Sequence, residues 1–315
     1  MSRPWSIQSI PPQRGRLAVI TGATGGIGFE AALALADAGA DVVLTGRDDA
    51  KGDAALERIR ALHPQATIRY AHLDLASLAS VSAFADRFAQ EHDALDLLIN
   101  NGGVMVPPKR FTTADGFELQ FGTNYLGHFA LTHHLLPLLR KGRKPRVVNV
   151  SSLAHRQMAA IHFDDLQWQR RYHPWQAYAQ SKLALLMFGL TLQRRSDALG
   201  WGLMSNTCHP GYARTGLQTS GPNLGKDKPQ KFGSLLEPVL SQSAAEGAWP
   251  TLLAATSPDA RGATYYGPQG LFGLKGPPGV SSIGKRARDQ TVAERLWEVS
   301  EQLTGVRWPA AREAA

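Results

Sequence analysis

Short runs of β-branched and apolar residues alternate with longer stretches of helical spacing along most of this chain, and no other feature restricts the fold as much. Strands are expected at 17–21, 41–45, 67–73, 95–100, 146–151, 203–208 and 263–266, with helices at 27–38, 49–62, 78–91, 113–140, 175–199 and 242–255. The strand segments are largely apolar rather than alternating, as strands buried on both faces are. Strand–helix–strand repetition of this kind predicts an α/β fold, a doubly wound parallel sheet with helices on both sides. A length of 315 residues would allow two small domains, but the alternation never gives way to a second pattern and predicts one, over 15–305. Residues 1–14, with Pro11 and Pro12, read as a flexible lead-in and 306–315 as a tail. Two stretches depart from the rhythm: 153–174, between a strand and a helix, and 218–240, rich in Gly, Pro and Lys. Long irregular segments in a compact domain are expected to be functional lids or disordered.

Composition removes several classes. The formal charge of +8 invites nucleic acid or an anionic surface, but its densest cluster, 140–146, falls in a turn between helix and strand. With no basic stripe interleaved with aromatics, a solvated surface is the simpler reading and no nucleic-acid partner is expected. No run of about eighteen apolar residues occurs, so no integral membrane segment is expected. The opening residues lack the apolar core of a signal peptide. Cys208 is the single cysteine; it forms no internal disulfide and fits a reducing cytoplasm. The ten histidines show no HExxH or paired-ligand spacing, so no metal is expected.

Five segments carry chemistry. Thr21-Gly22-Ala23-Thr24-Gly25-Gly26-Ile27-Gly28 lies between the first strand and first helix. Glycines there permit a tight turn, and the helix N-terminus behind them offers N–H groups to a pyrophosphate. The spacing is GxxxGxG rather than GxGxxG, and a plain structural turn is the competing explanation. At the end of strand two, Gly46-Arg47-Asp48 leaves two readings. Arg47, supported by Lys51, would take a 2′-phosphate and favour NADPH, or Asp48 would take the ribose while Arg47 begins a solvated loop. Asn100-Asn101-Gly102-Gly103 follows strand four, with Val104 and Met105 at the mouth; alone it reads as a turn. Val147–Ser152 is a buried strand ending in two hydroxyls, which either cap the strand or donate to a substrate oxygen. Last, Tyr178 and Lys182 in QAYAQSKLALL stand four residues apart on a helix, one above the other. That pair alone is more simply an amphipathic flank. Asn124 in FGTNYLGHF is a mediocre helix former that would hold water or a bent backbone, or simply face solvent.

Taken in order and spacing, these segments make the chain resemble the short-chain dehydrogenase/reductase family over about 15–305: TGATGGIG, Asp74 in HLDLAS, NNGG, Asn124 in NYLGHF, VVNVSS, Tyr178-x-x-x-Lys182 and His209-Pro210-Gly211. Within it the chain is most similar to the retinol-dehydrogenase-like, WW-oxidoreductase-like and protochlorophyllide-reductase-like branch, which shares the long Ser-to-Tyr insertion with FDDL and the late EGAWPTLLAATSPDARGATYYGP segment. The resemblance implies a single Rossmann-type domain with about seven strands in the order 3-2-1-4-5-6-7. It assigns Ser152 to the carbonyl oxygen, Tyr178 to proton transfer and to the cofactor, Lys182 to the ribose and to Tyr178, and Asn124 to a water leading to Lys182. It puts Gly22, Thr24, Gly26, Ile27 and Gly28 at the pyrophosphate, and Asp74 with Leu75 at adenine. Asn101 and Gly102 fall near the nicotinamide-side ribose, and Pro210, Gly211 and Thr215 near the carboxamide. The chain departs from the usual NNAG at Gly102, and it has no basic residue just before Gly26, so an NADP(H) preference rests on Arg47 with Lys51.

Free tyrosine titrates near about pH 10. A cation about 5 Å away at an effective dielectric near 20 is worth roughly 3 kcal/mol, about two pKa units, so Lys182 is expected to bring Tyr178 down toward the working range. Val104, Met105, Leu153, Trp175 and Tyr212 are the expected substrate-pocket residues. Trp168 and Tyr172 would join them or cover the sheet edge. The expected activity is NADPH-dependent interconversion of a bulky apolar ketone or aldehyde and its alcohol. Reduction of an activated C=C bond and a non-catalytic NADP(H) sensor are the alternatives. His209 is expected to shape a turn. Family members often pair through their long helices, which leaves a dimer or tetramer open.

Overall fold

The computed structural model describes residues 5–216, 221–224 and 241–309. Eight strands form one sheet in the order β3-β2-β1-β4-β5-β6-β7-β8: β1 (Leu17–Ile20), β2 (Asp41–Gly46), β3 (Ile68–His72), β4 (Leu97–Asn100), β5 (Arg146–Val150), β6 (Met204–Cys208), β7 (Tyr265–Gly270) and β8 (Lys275–Val280). Pairing is parallel as far as β7, and β8 returns antiparallel at the edge, with Tyr266 opposite Val280. The helices are α1 (Gly26–Asp37), α2 (Asp49–Leu62), α3 (Leu78–Glu91), the short α4 (Leu119–Phe121), α5 (Gly127–Leu139), α6 (Pro174–Leu199), α7 (Ala244–Thr256) and α8 (Gln290–Thr304). Successive side chains of a strand serve opposite faces. Val19, Val43, Leu98 and Val147 join a core with Phe84 of α3, Phe129 of α5 and Leu186 of α6. Ile20, Leu44, Ile99 and Val148 join a second core with Leu35 of α1, Ile59 of α2 and Leu252 of α7. This is the doubly wound Rossmann-type sheet expected from the sequence, with eight strands rather than about seven.

The differences have local causes. β8 reads KGPPGV, too rich in Gly and Pro to announce a strand, but prolines are tolerated on an edge. α8 buries Ala293, Leu296, Trp297 and Ser300, one amphipathic stripe. Trp297 lies edge-on to Phe129, with ring centroids 5.1 Å apart. Trp308 packs on both. The boundary expected at 305 therefore falls inside packed structure, because Val306 and Trp308 complete the core over α5 and α6.

The helix expected over 113–140 begins only at Leu119. Gly116 at φ +84° turns the chain before it, and the buried Glu118 carboxylate caps it, accepting from the N–H groups of Gln120 and Phe121 at 3.0 and 2.7 Å. Between α4 and α5 the backbone widens into a π turn over Gly122–Leu126, with the Gly127 N–H bonded to the Gly122 carbonyl. Such turns recur at functional sites. The 153–174 insertion is tied down: Gln180 Nε2 donates to the Leu166 carbonyl at 3.0 Å and Arg110 Nε to that of Gln167 at 2.7 Å. Of the second insertion, 218–240, only 221–224 lie within the described residues.

Candidate active site

The strand order reverses between β1 and β4, and open parallel sheets hold ligands outside the strand carboxyl ends at such a switch. A cavity of about 200 Å3 opens there. Gly22, Thr24, Arg47, Lys51, Asp74, Leu75, Gly102 and Val104 line it, with Gly46, Asp48, Leu73, Gly103 and Thr123. Gly22 and Gly26 take the left-handed region at φ +62° and +56°. A Cβ on Gly22 would stand 2.7 Å from the Gly102 Cα, so the two loops can approach this closely only through glycine. Gly28 is packed beneath the Asn101 side chain, and Ile27 turns its side chain toward Gly247 of α7. The N-cap of α1, Gly25, supplies no side-chain acceptor, and nothing lies within 4 Å of where its Cβ would be. The first N–H groups of α1, at the positive end of its dipole, are thus left for another acceptor.

Arg47 is exposed at the rim. Asp48, the alternative ribose ligand, is engaged as the N-cap of α2: its carboxylate accepts from the Lys51 N–H at 3.1 Å and pairs with the Lys51 ammonium at 3.2 Å. Thr123 is a residue the sequence reading passed over. Its buried hydroxyl faces this cavity's lining without a hydrogen-bond partner among the described residues. Uncapped N–H groups, an orphaned hydroxyl and an exposed guanidinium around one cavity fit a phosphate-bearing dinucleotide.

Beyond this cavity lie the residues expected to do chemistry. The two serines after β5 part company. Ser151 Oγ donates to the Lys182 carbonyl at 2.7 Å and pins α6 to the sheet. Ser152 Oγ accepts the Ala154 N–H at 3.2 Å and lies near enough to the Tyr178 phenol to favour its ionised form slightly. Lys182 Nζ donates to the Val150 carbonyl at 2.9 Å and stands 5.9 Å from the Tyr178 ring centre. Asn124 sits in the π turn. Its Oδ1 accepts the Val104 N–H at 2.7 Å, and its Nδ2 donates to the Val104 carbonyl at 3.0 Å and to Ser181 Oγ at 2.9 Å. A Cβ on Gly103 would meet Asn124 Oδ1 at 2.8 Å and Lys182 Nζ at 3.7 Å. Glycine there lets the loop close on both.

The expected acidification of Tyr178 is not what this protein chain does by itself. Burial pushes the phenol up to about 12, and the nearby Ser152 hydroxyl only moderates this. The same burial pulls Lys182 down to about 8. Both groups are almost wholly removed from water, so desolvation disfavours the charged form of each. At neutral pH the pair is a neutral phenol beside an ammonium.

The remaining expected residues are spread more widely. Thr215 lies against Gly26: a Cβ there would be 3.4 Å from the Thr215 Cβ. Pro210 is held through its carbonyl by Gln242 Nε2 at 2.8 Å. Gly211 (φ +64°) and Tyr212 pass beneath the β7–β8 turn, where the Tyr212 N–H donates to the Leu274 carbonyl at 2.8 Å. His209 Nδ1 accepts the Gly211 N–H at 3.2 Å, the turn-shaping contact anticipated for it. Trp175 leans on Tyr178 with ring centres 5.8 Å apart, and Met105 packs on the core. Val104 lines the first cavity, whereas Leu153 lines a second groove with Arg156, Phe272 and Val280. Tyr172 receives Gln120 Nε2 at 3.0 Å and so braces the insertion, while Trp168 is buried.

The chain is similar to known proteins along nearly its whole length. The family model described as short chain dehydrogenase matches residues 16–223. Retinol dehydrogenase 13 of Homo sapiens is 41% identical over 304 residues, 95% of this chain and 87% of the relative. Polyprenol dehydrogenase of Mus musculus is 41% identical over 300 residues, 94% of this chain and 86% of the relative. An uncharacterised protein from Mycobacterium paratuberculosis, known from its crystal structure, is 40% identical with a TM-score of 0.79, covering 98% of this chain and all (100%) of that one. A protein from Shigella flexneri 2a, crystallised as a complex with NADP, is 26% identical with a TM-score of 0.61, covering 81% of this chain and 97% of that one.

Proposed function

The chain belongs to the short-chain dehydrogenases, and on that premise we propose that it interconverts a bulky apolar ketone or aldehyde and its alcohol with NADP(H). The observation that carries the reading is a buried phenol and a buried ammonium, Tyr178 and Lys182, with the half-buried Ser152 hydroxyl near the phenol, beside the glycine-lined cavity. Ser152 Oγ and the Tyr178 hydroxyl would receive the substrate oxygen. The first turn of α1, Thr123, Asn101 and Lys182 would hold the dinucleotide, which would supply a hydride in reduction and accept one in oxidation. Tyr178 donates its proton to the oxygen in reduction and recovers one afterwards. A phenol pushed up to about 12 is in the protonated state that this step needs. Ser152 stabilises the negative charge growing on that oxygen. Lys182 stabilises the phenolate left behind, a charge that is costly in so dry a site. Asn124 holds the Gly103–Val104 backbone against Lys182.

Preference for NADP(H) is supported by Arg47 at the cavity rim, by the capping role of Asp48, and by the NADP complex of the Shigella flexneri protein. An apolar substrate is supported by the two relatives, named for retinol and polyprenol. Among the described residues no helix is long and apolar enough to cross a membrane. A cytoplasmic location is supported by a lone cysteine, Cys208, which is free and buried. A homo-oligomer would have to avoid the part of the α5–α6 surface that α8 covers. The test is NADPH oxidation with decanal, an aryl ketone and all-trans-retinal. Turnover of at least one is expected; NADPH binding without consumption of any would make this a sensor instead.

A further inference from the structure

His128 is fully buried (0% exposed), lies outside the chemistry assigned above, and touches both halves of the site. Its Nε2 is 2.8 Å from the Thr21 hydroxyl, at the root of the glycine loop, and its Nδ1 is 2.9 Å from the Asn124 carbonyl, in the π turn. Counting hydrogens settles the direction of both bonds. A hydroxyl has one hydrogen and two lone pairs. Thr21 Oγ1 already accepts the N–H groups of Asn101 and Gly102 at 2.9 and 2.8 Å. Its own hydrogen has two acceptors in reach, His128 Nε2 at 2.8 Å and the Ile99 carbonyl at 3.4 Å, and the shorter contact is the stronger bond. Nε2 is therefore an acceptor, and the ring hydrogen sits on Nδ1 and points at Asn124.

The contacts form a bracket around residues 101–104. Thr21 holds the Asn101 and Gly102 end. Asn124 holds the Val104 end through both amide atoms. One imidazole joins the two holders. We propose that His128 is a positioning residue, locked as its Nδ1–H tautomer, that sets the 101–104 turn forming the floor between the dinucleotide cavity and Lys182. An imidazolium would point Nε2–H at an oxygen with no lone pair left. Burial disfavours it independently, pulling His128 down to about 3.

This inference rests on the dinucleotide reading above, and its test separates the two. In protein labelled with 15N-histidine at neutral pH, His128 should give the signature of protonated Nδ1 and bare Nε2; an Nε2–H tautomer or an imidazolium would overturn the proposal whether or not any carbonyl is reduced. NADPH affinity, read by fluorescence titration, should weaken roughly ten-fold in His128→Leu, the size of a lost buried hydrogen bond. His128→Gln offers one donor and one acceptor, and should recover most of that loss. Thr21→Val should cost about as much as His128→Leu, and the double variant little more than either single one, because both break the same bracket. Additive losses, or a Gln variant no better than Leu, would make His128 an ordinary core residue. Should the variants fail to fold, the tautomer of the native protein still decides.

Discussion

The two ends of the crevice are built on opposite principles. At the phosphate end, Arg47 stands exposed, Lys51 reaches across the surface to Asp48, and glycines leave the α1 N-terminus open. At the chemical end, Tyr178, Lys182 and Asn124 are at most 5% exposed, and the polar side-chain atoms of Lys182 and Asn124 have partners within the chain. In the proposed function the first end would recognise charge in water, where single contacts are weak and interchangeable. The second is dry, so each proton and charge is costly to move and each partner matters. The difference teaches where specificity and where catalysis should be vulnerable.

The strongest way to break this contrast is Tyr178→Phe. Loss of a general acid should lower kcat by about a thousand-fold. NADPH affinity should stay within roughly two-fold, because Phe keeps the ring packed on Trp175 and fills nearly the same volume. Stopped-flow reduction and fluorescence titration measure the two separately. Retention of most turnover would remove Tyr178 from the chemistry. Arg47→Asp should act in the reverse sense. Preference for NADPH over NADH should fall roughly ten- to hundred-fold, the worth of a charge-assisted contact to phosphate. The melting temperature should hardly move, because Arg47 is exposed. An unchanged ratio of kcat/KM for the two coenzymes would refute the phosphate role.

A smaller effect sharpens the comparison through pH. Lys182 falls to about 8 from an ordinary value of 10.5, so kcat/KM for reduction should decline above pH 8, at most about ten-fold per pH unit. Stability should change with the opposite sign. Between those two values the unfolded chain holds more protons at this site than the folded one, so the burial penalty, complete below pH 8, fades as pH rises toward 10.5. A rate profile flat to pH 10 would show that Lys182 keeps its charge and that the chemical end is wetter than its burial indicates.

Much of this was legible beforehand, unevenly so. The glycine loop, Arg47 and Gly102 come together around one cavity because each sits at a strand's end, and strand ends are marked by local pattern; Asp74, which joins them, was expected from resemblance. β8 was not legible, since an edge strand of Gly and Pro is held by its partner rather than by propensity. Nor was Thr123, whose buried hydroxyl has no partner among the described residues. The division between Ser151 and Ser152 was expected from resemblance, but the residues themselves do not distinguish them. Only the bond from Ser151 to a carbonyl 31 residues away does that.

Periodicity and glycine placement, which are properties of neighbouring residues, determined the doubly wound sheet and the crevice at its strand ends, while resemblance to a family assigned most groups around it. Tertiary structure alone decided how those groups are protonated and whom they hold. Tyr178 is driven up rather than down, and His128 meets Thr21 across 107 residues of chain. Dehydration and hydrogen-bond partnership depend on everything that surrounds an atom, and those surroundings exist only once distant segments have packed.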